Sequence, residues 1–374
     1  MRTKLSALFV VGACLAFGPG HPFGGDGVRA AEPVTAVASG LVNPRGLAQA
    51  PNGWIYVAEA GNADGVNCPP APPPGAPLNP PCLGLTGAIT RIDPTGRRAP
   101  ERIVTGLPSI TRRSLAESAG PHKVSFLGTG GAYVTIGLGG DLEQRDGLGR
   151  DGEALGHVLK VAAGGPWTQD ADPAAHEDSE DPDGVGADSN PYGILALPSR
   201  RIVTDAGGNS LVEARADGTT RTLAVFPSRQ VLPLPGPPTQ AVPTAVALGP
   251  DGWFYVGQLT GFPFPSGGAA VWRVPPEGGD PEVCATGFTT IIDLTFDQQG
   301  RLYVLEFASG LGFPANTGRL SRLDTCRPRT DADRIPVMLS HPGGVIIAKD
   351  GAAYVTNKTL APFGTGEVLR IPLD

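Results

Sequence analysis

Residues 43–61, NPRGLAQAPNGWIYVAEAG, carry a pattern that returns five more times before the chain ends. A short apolar run, Gly46-Leu47-Ala48, leads into a Pro-Asn-Gly turn, and a more strongly apolar run, Trp54-Ile55-Tyr56-Val57, ends in small and polar residues. Two strand-like runs joined by a glycine-bearing turn spell a β-hairpin. One spacing aligns the copies. Pro44 precedes Tyr56 by twelve residues, as Pro121 precedes Tyr133, Pro243 Tyr255, Ile291 Tyr303 and Pro342 Tyr354; in the third copy Pro191 precedes Ile202 by eleven.

A third strand-like run follows each hairpin, starting at Gly87, Gly156, Ser210, Ala270, Gly318 and Gly366, and a fourth often leads into the next copy, as at 101–107, 220–226 and 281–288. Four strands per repeat at a period near 50 residues is the mark of a propeller blade. The expected fold is all-β: a six-bladed β-propeller with four antiparallel strands per blade. The last repeat stops after its third strand, whereas an unassigned strand, residues 34–41, precedes the first. That N-terminal strand is expected to close the last blade. Inner strands covered on both faces by neighbouring blades explain apolar runs that do not alternate with polar residues. Glycine and proline number 54 and 40, a content that would suggest disorder without a repeat, but here they fall at turns and strand starts.

Residues 1–30 read as an export signal, with Arg2 and Lys4 before an apolar core at 5–17 and Val28-Arg29-Ala30 fitting small-residue cleavage. A lipobox-like Val11-Gly12-Ala13-Cys14 offers the alternative of a lipid anchor on Cys14. The expected location is therefore secreted or periplasmic, with residues 31–374 forming one domain, no transmembrane segment and a monomeric chain. The formal charge is −7. Loss of Arg2, Lys4, Arg29 and Asp26 makes it about −9, which argues against nucleic acid as a partner. Four cysteines remain, and the favoured pairings are Cys68–Cys82, closing a proline-rich insertion, and Cys284–Cys326, stapling blade four to blade five. Insertions are expected at 62–86, 137–154 and 165–189. The last is expected to replace an outer strand of blade two, with a short helix at 172–180 before a turn at Asp181-Pro182-Asp183-Gly184. Asp181, Asp183 and the acids before them could bind calcium, but they lack an EF-hand's spacing and terminal Glu and read as a solvated acidic loop.

The phrases GPHKVSF (120–126), AYVTIGLGGD (132–141) and DSNPYGIL (188–195) resemble the ScyD/ScyE family, exported propellers named for members encoded in scytonemin biosynthesis clusters. VTDAGGNSLVEA (203–214) is similar to NHL-repeat propellers. The resemblance spans the chain after the leader; it implies a six-bladed propeller and export, and no established reaction or catalytic residue.

In a propeller, the loops entering each first strand and leaving each second strand share one face around the central channel. The second strands end there at Glu59, Ile136, Asp205, Gln258, Glu306 and Asn357; the first strands begin at Arg45, His122 with Lys123, Tyr192, Thr244, Asp293 and Gly343, with His341 just before the last. These polar positions are the candidate ligand-binding set. They could cap strand ends, or Arg45, His122 and Lys123 could take an anion, or Glu59, Asp205, Glu306 and Asn357 could hold calcium through oxygen ligands. No G-x-S-x-G elbow or H-E-x-x-H motif occurs. The favoured function is a secreted binding or scaffold protein whose top-face pocket, walled by the insertions of blades one and two, takes a small molecule or protein partner; the family name adds a role accessory to metabolite biosynthesis. The alternative is a calcium-dependent hydrolase or lactonase with His122 or His341 carrying the proton.

Overall fold

The computed structural model describes residues 32–63, 68, 81–112, 117–129, 131–162, 166–230, 238–310, 312–360 and 362–373. The expected export signal and Cys14 lie outside these residues. The chain forms a six-bladed β-propeller of antiparallel sheets. Strand β1 (Thr35–Leu41) comes first. Blade 1 holds β2 (Pro44–Gln49), β3 (Ile55–Glu59), β4 (Cys82–Ile92), β5 (Glu101–Arg112) and β6 (Glu117–Ala119). Blade 2 holds β7 (Pro121–Phe126), β8 (Ala132–Ile136), β9 (Val158–Val161) and β10 (Trp167–Ala171), and blade 3 holds β11 (Pro191–Leu197), β12 (Arg200–Asp205), β13 (Ser210–Arg215) and β14 (Thr220–Val225). Blade 4 follows with β15 (Pro243–Leu248), β16 (Phe254–Gln258), β17 (Ala269–Val274) and β18 (Glu282–Phe288), then blade 5 with β19 (Ile291–Phe296), β20 (Leu302–Glu306) and β21 (Arg319–Leu323). Blade 6 has β22 (Gly344–Ile347), β23 (Ala353–Asn357) and β24 (Gly366–Ile371), and β1 pairs with β24 from Thr35 opposite Arg370 to Leu41 opposite Gly366. The N-terminal strand therefore closes the ring as expected.

Two blades depart from four strands. Blade 1 gains β6 on the extended end of β5. Blade 5 completes its outer edge with isolated bridges, Gly318 to Leu339 and Ser321 to Arg334. The expectation that insertion 165–189 replaces an outer strand is corrected: its first residues form that strand, β10, paired with β9. Thr168 and Gln169 are both exposed on this outer strand, so its Thr-Gln-Asp sequence looks like a loop when read without its neighbour. Helix α1 (Leu142–Gly147) was also not anticipated; Asp141 caps it by accepting from the Gln144 amide. Helix α2 (Pro173–Glu180) forms where expected, capped by Asp172.

The hairpin template has a physical basis. Every residue of β3, β8, β16, β20 and β23 is buried, because each second strand is packed between neighbouring blades. Their turns close through bonds such as Gly53 N–H to the Ala50 carbonyl, and Gly53, Gly252 and Gly351 all lie at φ between 79° and 90°, where a Cβ would be strained. In blades 4 and 6 the repeated tyrosine reaches back to its turn: Tyr255 donates to Asp251 at 3.0 Å and Tyr354 to Asp350 at 3.1 Å. The third copy is one residue short because Leu197 pairs with Arg200 across a two-residue turn, with Ser199 taking the positive φ of 66°. Disulfides Cys68–Cys82 and Cys284–Cys326 are both present, the second joining β18 to the chain just after β21.

Blade 3 holds a charged cluster that gives the fold an acid-sensitive point. Glu213 is buried in β13 and accepts from Arg215 (2.6 Å), Arg200 (2.8 Å) and Arg221 (3.1 Å). Burial alone would raise its pKa, but the hydrogen bonds from Arg221, Arg200 and Arg215 outweigh it and bring the carboxyl down to about 2. A folded pKa below the unfolded value means the stabilisation is complete above about pH 4.5 and is lost as pH falls towards 2. The arginines are 30–50% exposed, so solvent screening limits the effect to about 1–2 kcal/mol. Glu213→Gln is expected to melt about 2–6 °C below wild type at pH 7 and to differ far less at pH 3. Equal melting temperatures at pH 7 would contradict this.

Candidate functional site

The channel mouth is built from the first strands. Counted from the repeat's leading position (Pro44, Pro121, Pro191, Pro243, Ile291 and Pro342), the second residues are Arg45, His122, Tyr192, Thr244, Ile292 and Gly343, and the third are Gly46, Lys123, Gly193, Ala245, Asp293 and Gly344. Four of the third residues are small, and the other two carry opposite charges. Blades 2 and 5 stand opposite one another in a ring of six, and the Lys123 ammonium donates to Asp293 across the axis. Asp293 also accepts from the amides of Leu294 (3.0 Å) and Val345 (2.8 Å). Smallness on the flanking blades makes room: a Cβ on Gly46 would stand 2.2 Å from Cδ of Lys123. An ion pair crosses the channel at this level.

Above the pair, His122 stacks on Tyr192 with ring centroids 4.3 Å apart. His122 Nδ1 lies 3.1 Å from the Pro191 carbonyl, which can only accept, so Nδ1 carries the proton. Burial, with a smaller push from Arg45, lowers the His122 pKa to about 3, which leaves it neutral and a poor proton acceptor. Arg45, 4% exposed, donates Nη2 to the Ser118 carbonyl at 2.9 Å and sets Nη1 3.5 Å from the Tyr192 hydroxyl. Its Nε is buried without a hydrogen-bond partner.

Arg45 and Tyr192 form the polar side of a cavity of about 140 Å³ whose other walls are Leu259, Phe264, Ile292, Phe307, Phe313 and Leu360. Apart from Ile292, in the first strand of blade 5, these walls come from the loops that leave the second strands of blades 4, 5 and 6. The sequence reading placed the walls in the insertions of blades one and two; among the described residues the cavity takes no wall from either, and most of the blade-one insertion lies outside them. The missed signal is a recurring Phe-Pro or Pro-Phe pair at 262–265, 313–314 and 362–363. Phe264 packs on Phe313 and Phe313 on Phe307, with centroids 4.6 and 5.3 Å apart. His341 stands behind this wall, its Nε2 2.6 Å from the Phe313 carbonyl and its ring 5.2 Å from Phe307.

The polar residues ending the second strands serve their own blades. Glu59 accepts from Val42 N (2.6 Å), from the Thr90 hydroxyl and from Arg102 (2.8 Å). Asp205 accepts from Ser189, Asn190, Gly207 and Gly208; Glu306 from Thr289 N (2.8 Å); and Asn357 from Ser340 N (2.8 Å) while donating to Glu367. Gln258 accepts from Trp272 Nε1 at 2.9 Å. Val42, Asn190 and Thr289 lie one or two residues before the first strand of the same blade, and Ser340 lies four before it. Glu59, Asp205, Glu306 and Asn357 thus latch the incoming chain of their blades, whereas Gln258 holds the third strand of its own. Burial raises Asp205 to about 6 against the hydrogen bonds it accepts, and it raises Glu306 as well. The structure does not gather Glu59, Asp205 and Glu306: among the described residues the one group of three with ligand atoms within 4.8 Å of one another is Glu177, Asp181 and Asp183.

No family model matches the chain, and no curated protein does. Solved structures do. A luciferin-regenerating enzyme matches at 11% identity and a TM-score of 0.52, over 91% of this chain and 95% of that one. A streptogramin B lyase matches at 14% identity and 0.48, over 91% and 97%. A virginiamycin B lyase from Staphylococcus aureus matches at 14% and 0.44, over 91% and 99%. At such identities the likeness is one of fold alone.

Proposed function

We propose that this chain is an exported binding propeller whose top-face cavity takes a small molecule with a flat apolar body and an acidic oxygen. The observation that carries the reading is the Arg45 guanidinium: buried, with Nε unpartnered, at the polar side of an otherwise apolar aromatic cavity. A buried cation with an unused donor favours an anionic partner. A cavity near 140 Å³ suits one ring, since an apolar cavity of about 150 Å³ holds benzene. Two disulfides fit an oxidising compartment, and among the described residues no helix is long and apolar enough to cross a membrane. A role accessory to metabolite maturation, as the sequence resemblance implies, would draw on the same cavity.

Calorimetric titration with benzoate, 4-hydroxyphenylacetate and indole-3-acetate tests this. At least one acid is expected to bind, and Arg45→Met to weaken it about 10- to 100-fold, the loss of one or two charge-assisted hydrogen bonds. Phe313→Ala, which removes an apolar wall, should weaken the acid and its uncharged amide alike, whereas Arg45→Met should spare the amide. Binding unchanged in a folded Arg45→Met, or no binding of any of the acids, would refute the reading.

A further inference from the structure

Insertion 165–189 carries a second polar site, away from the cavity. Helix α2 docks on blade 3 through His176, whose Nε2 lies 2.9 Å from Thr222 Oγ1, and the turn after it is tied to the blade by Asn209 Nδ2 donating to Asp183 at 2.8 Å. The last turn of α2, where a helix dipole favours a cation, contains Glu177, Asp178 and Glu180 and no basic residue. The chain then folds back through Asp181, held at φ 39°, which brings the Asp181 and Asp183 carboxylates over Glu177.

Glu177 is the decisive group. It is 1% exposed, and neither of its carboxylate oxygens has a hydrogen-bond partner. It fills space kept for it by Gly208, where a Cβ would stand 2.1 Å from Oε2. A buried carboxylate without a donor costs several kcal/mol unless it is protonated or meets a cation. One ligand oxygen from each of Glu177, Asp181 and Asp183 lies within 4.8 Å of the others, about the span allowed to oxygens that share one ion at 2.3–2.6 Å.

We infer that Glu177, Asp181 and Asp183 form a calcium site that fastens α2 and the 181–188 loop to blade 3. All-oxygen, carboxylate-rich donors on a loop select a hard divalent cation, and calcium tolerates irregular loop geometry better than magnesium. Solvent and main-chain oxygens complete its coordination. The neighbouring carboxylates Asp205, Asp183, Asp181 and Asp188 set a negative field at Glu177 that attracts a cation. This ligand set differs from the one expected from sequence, and it is independent of the aromatic cavity.

The test is calcium titration of the purified protein after removal of bound metal with a chelator, read by calorimetry and by thermal melting. Wild type is expected to take up one calcium per chain and to melt about 5 °C higher in millimolar calcium. Glu177→Gln should melt in chelator at or above the wild-type temperature, because a like charge has left the cluster, and should not respond to calcium. Asp183→Asn is expected to bind at least about tenfold more weakly. If Glu177→Gln does not fold, Asp181→Asn decides by the same measurement. No saturable uptake by wild type, or an equal response in the folded variants, overturns the proposal.

Discussion

Lys123→Met is expected to destabilise the folded chain by about 3 kcal/mol, a fall of roughly 6–10 °C in melting temperature. Lys123 and Asp293 come from opposite blades, and their side chains are 15% and 4% exposed. Removing the ammonium leaves a carboxylate buried at the centre of the ring with only the Leu294 and Val345 amides to hold it. The double variant Lys123→Met/Asp293→Asn should lose less than the sum of the two single changes by at least about 1 kcal/mol, since it leaves no uncompensated charge. Denaturation of the four proteins gives the cycle. Strict additivity would mean that the pair contributes nothing across the channel.

The architecture was legible because each hairpin is locally determined. The turn, the repeated aromatic or apolar position and the buried second strand all lie within about fifteen residues, so one template reveals six copies. Even the shorter third copy follows from its two-residue turn at 198–199. Strand β10 was lost because an outer strand exposed at Thr168 and Gln169 carries little apolar signal, and the acidic run that follows it reads as loop.

The site was legible only in part. Arg45 and Tyr192 were named from their places at the starts of first strands, and the structure sets them on one cavity. The ion pair joins residues 170 positions apart, and its geometry follows only once the repeats are counted and blades two and five are seen to oppose. Glu59, Glu306 and Asn357 looked convergent because each stands at the same point of its blade. Equivalent positions in a ring share a height and not a neighbourhood, and the nearest donors are those of the blade's own entering chain. Glu177 went unnoticed for a simpler reason: sequence shows an acidic helix end, whereas its burial comes from Gly208, thirty-one residues later.

Asp205→Ala should be the most damaging change among these latches, costing about 3–5 kcal/mol. Asp205 is completely buried, and its Oδ1 accepts from the amides of Asn190 (2.7 Å), Gly207 (3.1 Å) and Gly208 (3.2 Å) while Oδ2 accepts from the Ser189 hydroxyl (2.6 Å). Alanine would strand three main-chain donors and one hydroxyl in a site that cannot rearrange, because a Cβ on Gly207 would already stand 2.2 Å from the Asp188 carbonyl oxygen. Asp205→Asn keeps one acceptor oxygen and is expected to lose roughly half as much. The comparator is Asn357→Ala, which strands only the Ser340 amide and one donor-seeking Glu367 oxygen, and should cost about 1–2 kcal/mol. Equilibrium denaturation ranks the three. If Asp205→Ala proves no worse than Asn357→Ala, the number of donors gathered by each latch does not set its contribution. The expected order would instead show that blade 3 is held at its mouth by one carboxylate. That carboxylate also organises the Gly207-Gly208 turn against which Glu177 packs.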